Sequence, residues 1–189
     1  DLLAGVIHRH SHRRKFPFVK VGCTLFPSTL FESELYGHEV GSFTGAHRGR
    51  KGRFELSETG TIYLDDVDDI PLEHQAKLLR AIEEKAFERV GGTATIAVSA
   101  RIIAATHRDL FALADAGDFR EDLYYRLTVV CLQIPPLRKR KEDIPHLARR
   151  FITHFKHKIG RDVRQISSSA MTALCRYDWP GNVRELMNV

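Results

Sequence analysis

Two adjacent carboxylates, Asp65 and Asp66, end the apolar run Thr61-Ile62-Tyr63-Leu64. A carboxylate held at the C-terminal edge of a buried strand can bind Mg²⁺ directly or through water, and a second can orient an attacking water. Acids at a strand end also serve turns, so the pair alone leaves both readings open. Twenty residues upstream, Gly41-Ser42-Phe43-Thr44-Gly45-Ala46 reads as an exposed, bendable loop that carries one large apolar side chain. Such a side chain is poorly placed to build a core and well placed to touch another molecule. His8 and His12 are one helical turn apart, but no third ligand is specified, so they read as packed or solvent-facing histidines.

These residues need a scaffold. Phe18-Val19-Lys20-Val21, Thr61-Ile62-Tyr63-Leu64, Arg101-Ile102-Ile103-Ala104-Ala105-Thr106 and Val129-Val130-Cys131-Leu132-Gln133-Ile134 are short, nearly continuous apolar runs, as in a parallel sheet covered on both faces. Helical spacing separates them. Residues 71–84 are expected to form a helix with Leu72, Ala76, Leu79 and Ile82 on one side, and residues 1–8 also have helical spacing. Alternation of this kind predicts an α/β layered domain. After Pro135-Pro136 the pattern becomes purely helical. Ile144, Leu147, Ala148, Phe151, Ile152, Phe155 and Ile159 form one stripe, with Asp143 expected as N-cap and Gly160 as C-cap. Ser167 to Ser169 open a second helix, and Trp179-Pro180-Gly181-Asn182 turns into a third. The predicted organisation is a core over residues 1–136 and a helical subdomain over 137–189.

Composition is that of a globular chain, with a net charge of +5 that allows an acidic partner without requiring one. No apolar run is long enough to cross a bilayer. The three cysteines, Cys23, Cys131 and Cys175, lack a Cys-x-x-Cys pair and read as reduced thiols of a cytoplasmic protein. No helix-turn-helix or zinc-finger pattern is present, which argues against direct sequence reading of DNA by these residues.

Glu34-Leu35-Tyr36-Gly37-His38-Glu39-Val40-Gly41-Ser42-Phe43-Thr44-Gly45-Ala46 resembles the signature of bacterial enhancer-binding proteins, the AAA+ ATPases that activate sigma-54 RNA polymerase. Gly52-Arg53-Phe54-Glu55, Phe119-Arg120-Glu121-Asp122-Leu123-Tyr124-Tyr125-Arg126-Leu127, Pro135-Pro136-Leu137-Arg138 and Trp179-Pro180-Gly181-Asn182-Val183-Arg184-Glu185-Leu186 match it in order. The resemblance implies an AAA+ P-loop-type core with a helical lid, ATP and Mg²⁺ as cofactors, and a homo-oligomeric, hexameric ring. It implies sigma-54 RNA polymerase holoenzyme as partner, no membrane contact, and promoter or enhancer DNA reached through a domain outside these residues.

Position by position, the resemblance makes Asp65 the Mg²⁺–ATP carboxylate and Asp66 the water-orienting acid, where the family usually has Glu. Thr106 and His107 fall at sensor I, His107 in place of the more frequent Asn. Arg120 and Arg126 match the arginines that reach into a neighbouring subunit's ATP; on their own they could equally pair with Glu121 or Asp122. Arg184 matches sensor II of the lid. Gly41, Ser42, Phe43, Thr44, Gly45 and Ala46 are the implied sigma-54 contact, with Ser42 where Ala is usual.

Two departures temper this. The phosphate loop Gly-x-x-x-x-Gly-Lys and its strand are missing, so a partial chain that binds ATP poorly by itself is expected. Gly22 stands where the family commonly has an Asn that holds the catalytic Glu, so the switch between nucleotide and loop is expected to be altered. A non-hydrolysing sigma-54-binding module and an AAA+ remodeller of another protein are the alternatives.

Overall fold

The structure is a computed structural model that describes residues 1–159 and 165–189. The expected helix cap at Gly160 lies outside them. The chain forms two compact units, residues 1–130 and 131–189.

The first unit is built on a parallel sheet. Strands β1 (Phe18–Gly22), β4 (Thr61–Asp65) and β7 (Arg101–Ala104) pair in the order β1-β4-β7. β4 is central, and its first four residues are buried, which explains why Thr61 to Leu64 reads as a continuous β-rich run and not an alternating one. Two small antiparallel pairs flank it: β2 (Gly37–His38) with β3 (Arg50–Lys51), and β5 (Ala86–Glu88) with β6 (Thr95–Ala97). The helices are α1 (Leu2–Arg9), α2 (Ser28–Tyr36), α3 (Arg53–Ser57), α4 (Leu72–Glu83), α5 (Leu110–Asp115) and α6 (Glu121–Leu127). Phe31, Leu35, Phe54, Ile62, Leu64, Leu78 and Leu123 form the centre of the core. Each such side chain stabilises the fold by about 1.5–3 kcal/mol through burial.

Two expectations fail here. Val129 to Ile134 forms no strand: Val129, Val130, Leu132 and Ile134 are exposed, and among the described residues no neighbouring strand offers them backbone partners. Apolar composition without a ladder partner does not make a strand. On α4 the buried face is also rotated from the expected one. Leu72 and Ala76 are exposed, whereas Gln75, Leu78, Leu79 and Ala81 are buried.

The second unit holds α7 (Ile144–Ile159), α8 (Ser168–Arg176) and α9 (Asn182–Asn188) around Leu137, Ile144, Trp179 and Leu186. Ser167 caps α8 by accepting from the Ala170 N–H. Trp179 donates from Nε1 to the Leu174 carbonyl at 2.8 Å, and Asn182 Oδ1 accepts from the Leu137 N–H at 2.8 Å. These two bonds satisfy the polar groups of a turn that carries positive φ at both Trp179 and Asn182.

Candidate functional site

Parallel register places the candidate residues. Gly22 lies opposite Asp65, and Leu64 lies opposite Ala104. Two backbone bonds extend the β4–β7 alignment past the strand ends: the Ala105 N–H donates to the Leu64 carbonyl, and the Val67 N–H donates to the Ala105 carbonyl. Asp65, Asp66, Thr106 and His107 are therefore collected at one end of the sheet. This is the edge at which open α/β sheets bind ligands.

Asp65 accepts a hydrogen bond from the Tyr63 hydroxyl on Oδ1 at 2.7 Å. Asp66 adopts a left-handed conformation, φ 55°, which costs of the order of 1 kcal/mol for a residue with a side chain. It turns the chain sharply and presents the Asp66 carboxylate to solvent beside His107, whose Nδ1 is 3.5 Å from Asp66 Oδ1 and 3.2 Å from Asp68 Oδ2. Asp66, Asp68 and His107 each offer a ligand atom within 4.8 Å of the others. Arg108 already neutralises Asp68, donating from Nε to Asp68 Oδ2 at 2.9 Å and from Nη2 to its carbonyl at 2.8 Å. Burial alone would raise the Asp68 carboxyl, but hydrogen bonding, that from Arg108 foremost, more than offsets it and holds the group below its ordinary range.

The charge concentrated at this edge registers on Cys23. Its thiol is pushed up to about 12, first by burial and then by Asp66, Asp65, Asp68 and Asp69. Four carboxylates thus lie near one point, of which Asp68 and Asp69 are already paired with Arg108.

The candidate loop stands apart from this edge, on a platform of its own. β2 and β3 bracket residues 39–49, and Gly41 and Gly45 take positive φ of 77° and 103°, with the Gly41 N–H donating to the Ala46 carbonyl at 2.8 Å across the loop. Phe43 is 39% exposed and rests its ring edge-on against His38 at 5.1 Å. His38 is itself fixed: Nε2 donates to the Arg48 carbonyl at 3.0 Å, which leaves Nδ1 to accept from Ser33 Oγ at 2.8 Å. Ser42 packs against Gly91, where a side chain would meet Ser42 Cβ at 2.6 Å.

Arg89 holds the base of this platform. It donates from Nε and Nη2 to both oxygens of Glu55, at 2.8 and 2.7 Å, and from Nη1 to Glu39 at 3.0 Å. Hydrogen bonding from Arg89 outweighs burial and keeps the Glu55 carboxyl below its usual range. Glu55 lies on α3, which leads into β4, so one guanidinium ties the loop's root to the strand that carries Asp65.

Arg120 and Arg126 are exposed on and before α6. Arg120 makes a two-bond ion pair with Asp122, at 3.0 and 2.8 Å. Among the described residues no ion pair joins either arginine to Asp65 or Asp66. Arg184 is exposed on α9 of the helical unit. His8 is buried against Phe18 and bonded to Thr61 Oγ1 at 2.9 Å, a core role, while His10 and His12 are exposed.

The sequence reading overlooked Arg89, Asp68, Arg108 and Gln75. Asp68 and Arg108 were visible as polar residues two positions past Asp66 and Thr106. Gln75 was visible as the first member of a 75-78-79-82 helical spacing.

Comparison with known proteins shows the family. Residues 1–133 match the family described as the sigma-54 interaction domain, and residues 138–189 match the AAA+ ATPase lid domain. The regulatory protein AtoC of Escherichia coli (strain K12) is 52% identical over 189 residues, covering 100% of this chain and 41% of that protein. The DNA-binding transcriptional regulator NtrC of Klebsiella pneumoniae is 48% identical over 188 residues, covering 100% of this chain and 40% of its own length. The crystal structure of NtrX from Brucella abortus in complex with ATP superposes with a TM-score of 0.90 at 40% identity, covering 99% of this chain and 42% of that one. The chain thus spans about two fifths of the length of these relatives. Among the described residues no helix is long and apolar enough to cross a membrane.

Proposed function

The chain belongs to the family of sigma-54 interaction domains with an AAA+ ATPase lid, and from that premise we propose that it is the ATP-hydrolysing, sigma-54-contacting segment of a transcriptional activator. The observation that carries the reading is the convergence of Asp65, Asp66, Thr106 and His107 at one sheet edge, tied through β4, Glu55 and Arg89 to a glycine-hinged Phe43 loop.

The donor set at this edge, oxygen atoms of Asp65 and Asp66 with Asp68 and His107 beside them, is of the kind that holds Mg²⁺. Asp65 has one oxygen engaged by Tyr63 and would hold the cation with the other, directly or through water. When bound, Mg²⁺ supplies charge neutralisation on the phosphates of ATP. Asp66 would accept a hydrogen bond from the attacking water and aim it at the γ-phosphorus; the water oxygen bonds to phosphorus as the P–O bond to ADP breaks, and the two water protons leave with inorganic phosphate as H₂PO₄⁻. His107 donates to the γ-phosphoryl oxygens, and Thr106 fixes the turn that presents it by pairing with the Arg108 backbone. The partner subunit's Arg120 and Arg126 stabilise the charge spread over those oxygens, so turnover requires a ring, which we take to be a hexamer. Arg184 contributes from the lid.

Contacts to the γ-phosphate exist before hydrolysis and not after it, and this difference drives the loop. Phe43 and Thr44 then act on sigma-54 in its RNA polymerase holoenzyme to open promoter DNA. DNA contact by another domain and a cytoplasmic setting complete the reading. ATP turnover by the full-length protein tests it. Asp66→Asn should lower kcat by roughly 100-fold or more, in the range of a lost acid–base group. Turnover within twofold of the parent would refute the assignment.

A further inference from the structure

Gln75 is a fully buried amide on α4, at the N-terminal end of an otherwise apolar buried face. A buried amide is retained at a cost unless its donors and acceptor are satisfied. Here they are. Oε1 accepts from the Arg120 N–H at 2.7 Å, and Nε2 donates to the Ile70 carbonyl at 2.9 Å and to the Asp118 carbonyl at 3.4 Å. The amide orientation is fixed by its partners, since a backbone N–H only donates and a carbonyl only accepts.

Those partners lie in two different places. Ile70 closes the 3-10 turn Val67–Asp69 that follows Asp66, and that turn is pinned to the sheet edge by the Val67 N–H bond to Ala105. Asp118 and Arg120 belong to the connection that enters α6. The connection has few other anchors: the Asp118 and Phe119 N–H groups both donate to the Leu113 carbonyl, and the Phe119 ring is buried. One side chain therefore links the turn after the carboxylate pair to the backbone of Arg120.

We propose that Gln75 is a positioning residue for Arg120: it sets the backbone from which this arginine reaches a neighbouring subunit's nucleotide. The inference rests on the proposed trans role of Arg120 and deepens it. It also explains why α4 turns a glutamine to the core. An apolar side chain of equal size would fill the space but leave the Arg120 N–H and two carbonyls without that partner.

The test uses the full-length protein and reads ATP turnover in mixed rings. Gln75→Met keeps the volume and removes all three bonds. It should lower kcat roughly 10- to 100-fold with KM within twofold, the range expected when a reacting group is misplaced by about 1 Å. Added to Arg120→Ala it should cause no further loss. Mixing Gln75→Met subunits with Asp66→Asn subunits should restore turnover, because the latter supply a well-placed Arg120 to the former's intact site. Gln75→Glu retains the acceptor for the Arg120 N–H and should fall between parent and Gln75→Met.

Unchanged kcat in Gln75→Met, with Arg120→Ala inactive, overturns the inference and leaves the proposed function standing. Loss without rescue in mixed rings, or loss additive with Arg120→Ala, overturns it too and assigns Gln75 to its own subunit's site. Full turnover in Arg120→Ala overturns both. If Gln75→Met does not fold, Gln75→Glu carries the mixed-ring measurement; failure of both to fold makes Gln75 a core residue and overturns the inference.

Discussion

Arg89→Ala should loosen the loop's root without touching the sheet. The Glu55 side chain is only 10% exposed and Arg89 22%, so the pair lies between a surface pair and a buried one. A surface pair contributes about 0–1 kcal/mol, and stranding a buried charge costs about 3–5 kcal/mol. With both oxygens of Glu55 stripped of their donors, we expect about 2 kcal/mol at this site, between those limits. The Glu39 leg, 42% exposed, adds less than about 1 kcal/mol. The readout is hydrogen exchange in the full-length protein at the backbone bonds that Arg89 shelters, Glu39 N–H to the Val90 carbonyl and Val90 N–H to the Gly37 carbonyl. Two kilocalories correspond to a protection loss of roughly 30-fold at 1.4 kcal/mol per tenfold. Amides of Ile62 and Leu64 in β4 serve as the unchanged reference. The sign with pH follows from Glu55. Its folded carboxyl is held below the ordinary value, so the stabilisation is present above about pH 4.3, the ordinary glutamate value, and is lost as pH falls through the folded one. Protection should therefore drop on acidification in the parent and much less in Arg89→Ala. Equal protection in parent and variant at neutral pH, within twofold, would refute the clamp.

Other consequences are as direct. In the native protein at pH 8 a thiol reagent should label exposed Cys131 and spare Cys23, whose thiol burial and the neighbouring carboxylates push up to about 12; rapid labelling of Cys23 would contradict its burial behind the sheet edge. Gly91→Ala forces a side chain into φ 74° and against Ser42, so it should displace the loop and reduce sigma-54-dependent transcription at least tenfold while ATP turnover stays within threefold. Equal transcription would show that the Gly91 seat is idle. Asp66→Glu alone and with Gly22→Asn should give different ATP turnover rates. A Cβ added at Gly22 meets the side chain of exposed Leu25, its Cδ1 at 2.8 Å and Cγ at 3.0 Å, which must turn aside; identical rates in parent and both variants would remove the coupling between these positions.

Much of this architecture was legible in the residues themselves. β4 was readable because a strand buried on both faces is apolar throughout, β1 and β7 because their aliphatic runs mark partly buried strands beside it, and the carboxylate pair because it ends β4. What escaped was whatever depends on a partner distant in sequence. Val129 to Ile134 has strand composition, yet pairing is a property of two segments and composition describes one. Gln75 was missed because helical periodicity weighs apolar residues, and a glutamine whose bonds are all internal behaves as a core residue. The Arg89 clamp joins residues 34 and 50 positions apart, a separation that no local pattern encodes. Arg120 illustrates the converse: its pairing with Asp122 was foreseeable from adjacency, whereas its proposed reach to another subunit is a property of the assembly.

The proposed function separates two tasks, hydrolysis at the carboxylate edge and force delivery by the Phe43 loop. Phe43→Ala in the full-length activator isolates the second from the first. ATP turnover should remain within about threefold of the parent, since the Phe43 ring packs on His38 in the β2–β3 platform. Open-complex formation by sigma-54 RNA polymerase, read as permanganate reactivity of the melted promoter, should fall to background. Promoter opening at the parent's level by Phe43→Ala would contradict the central claim.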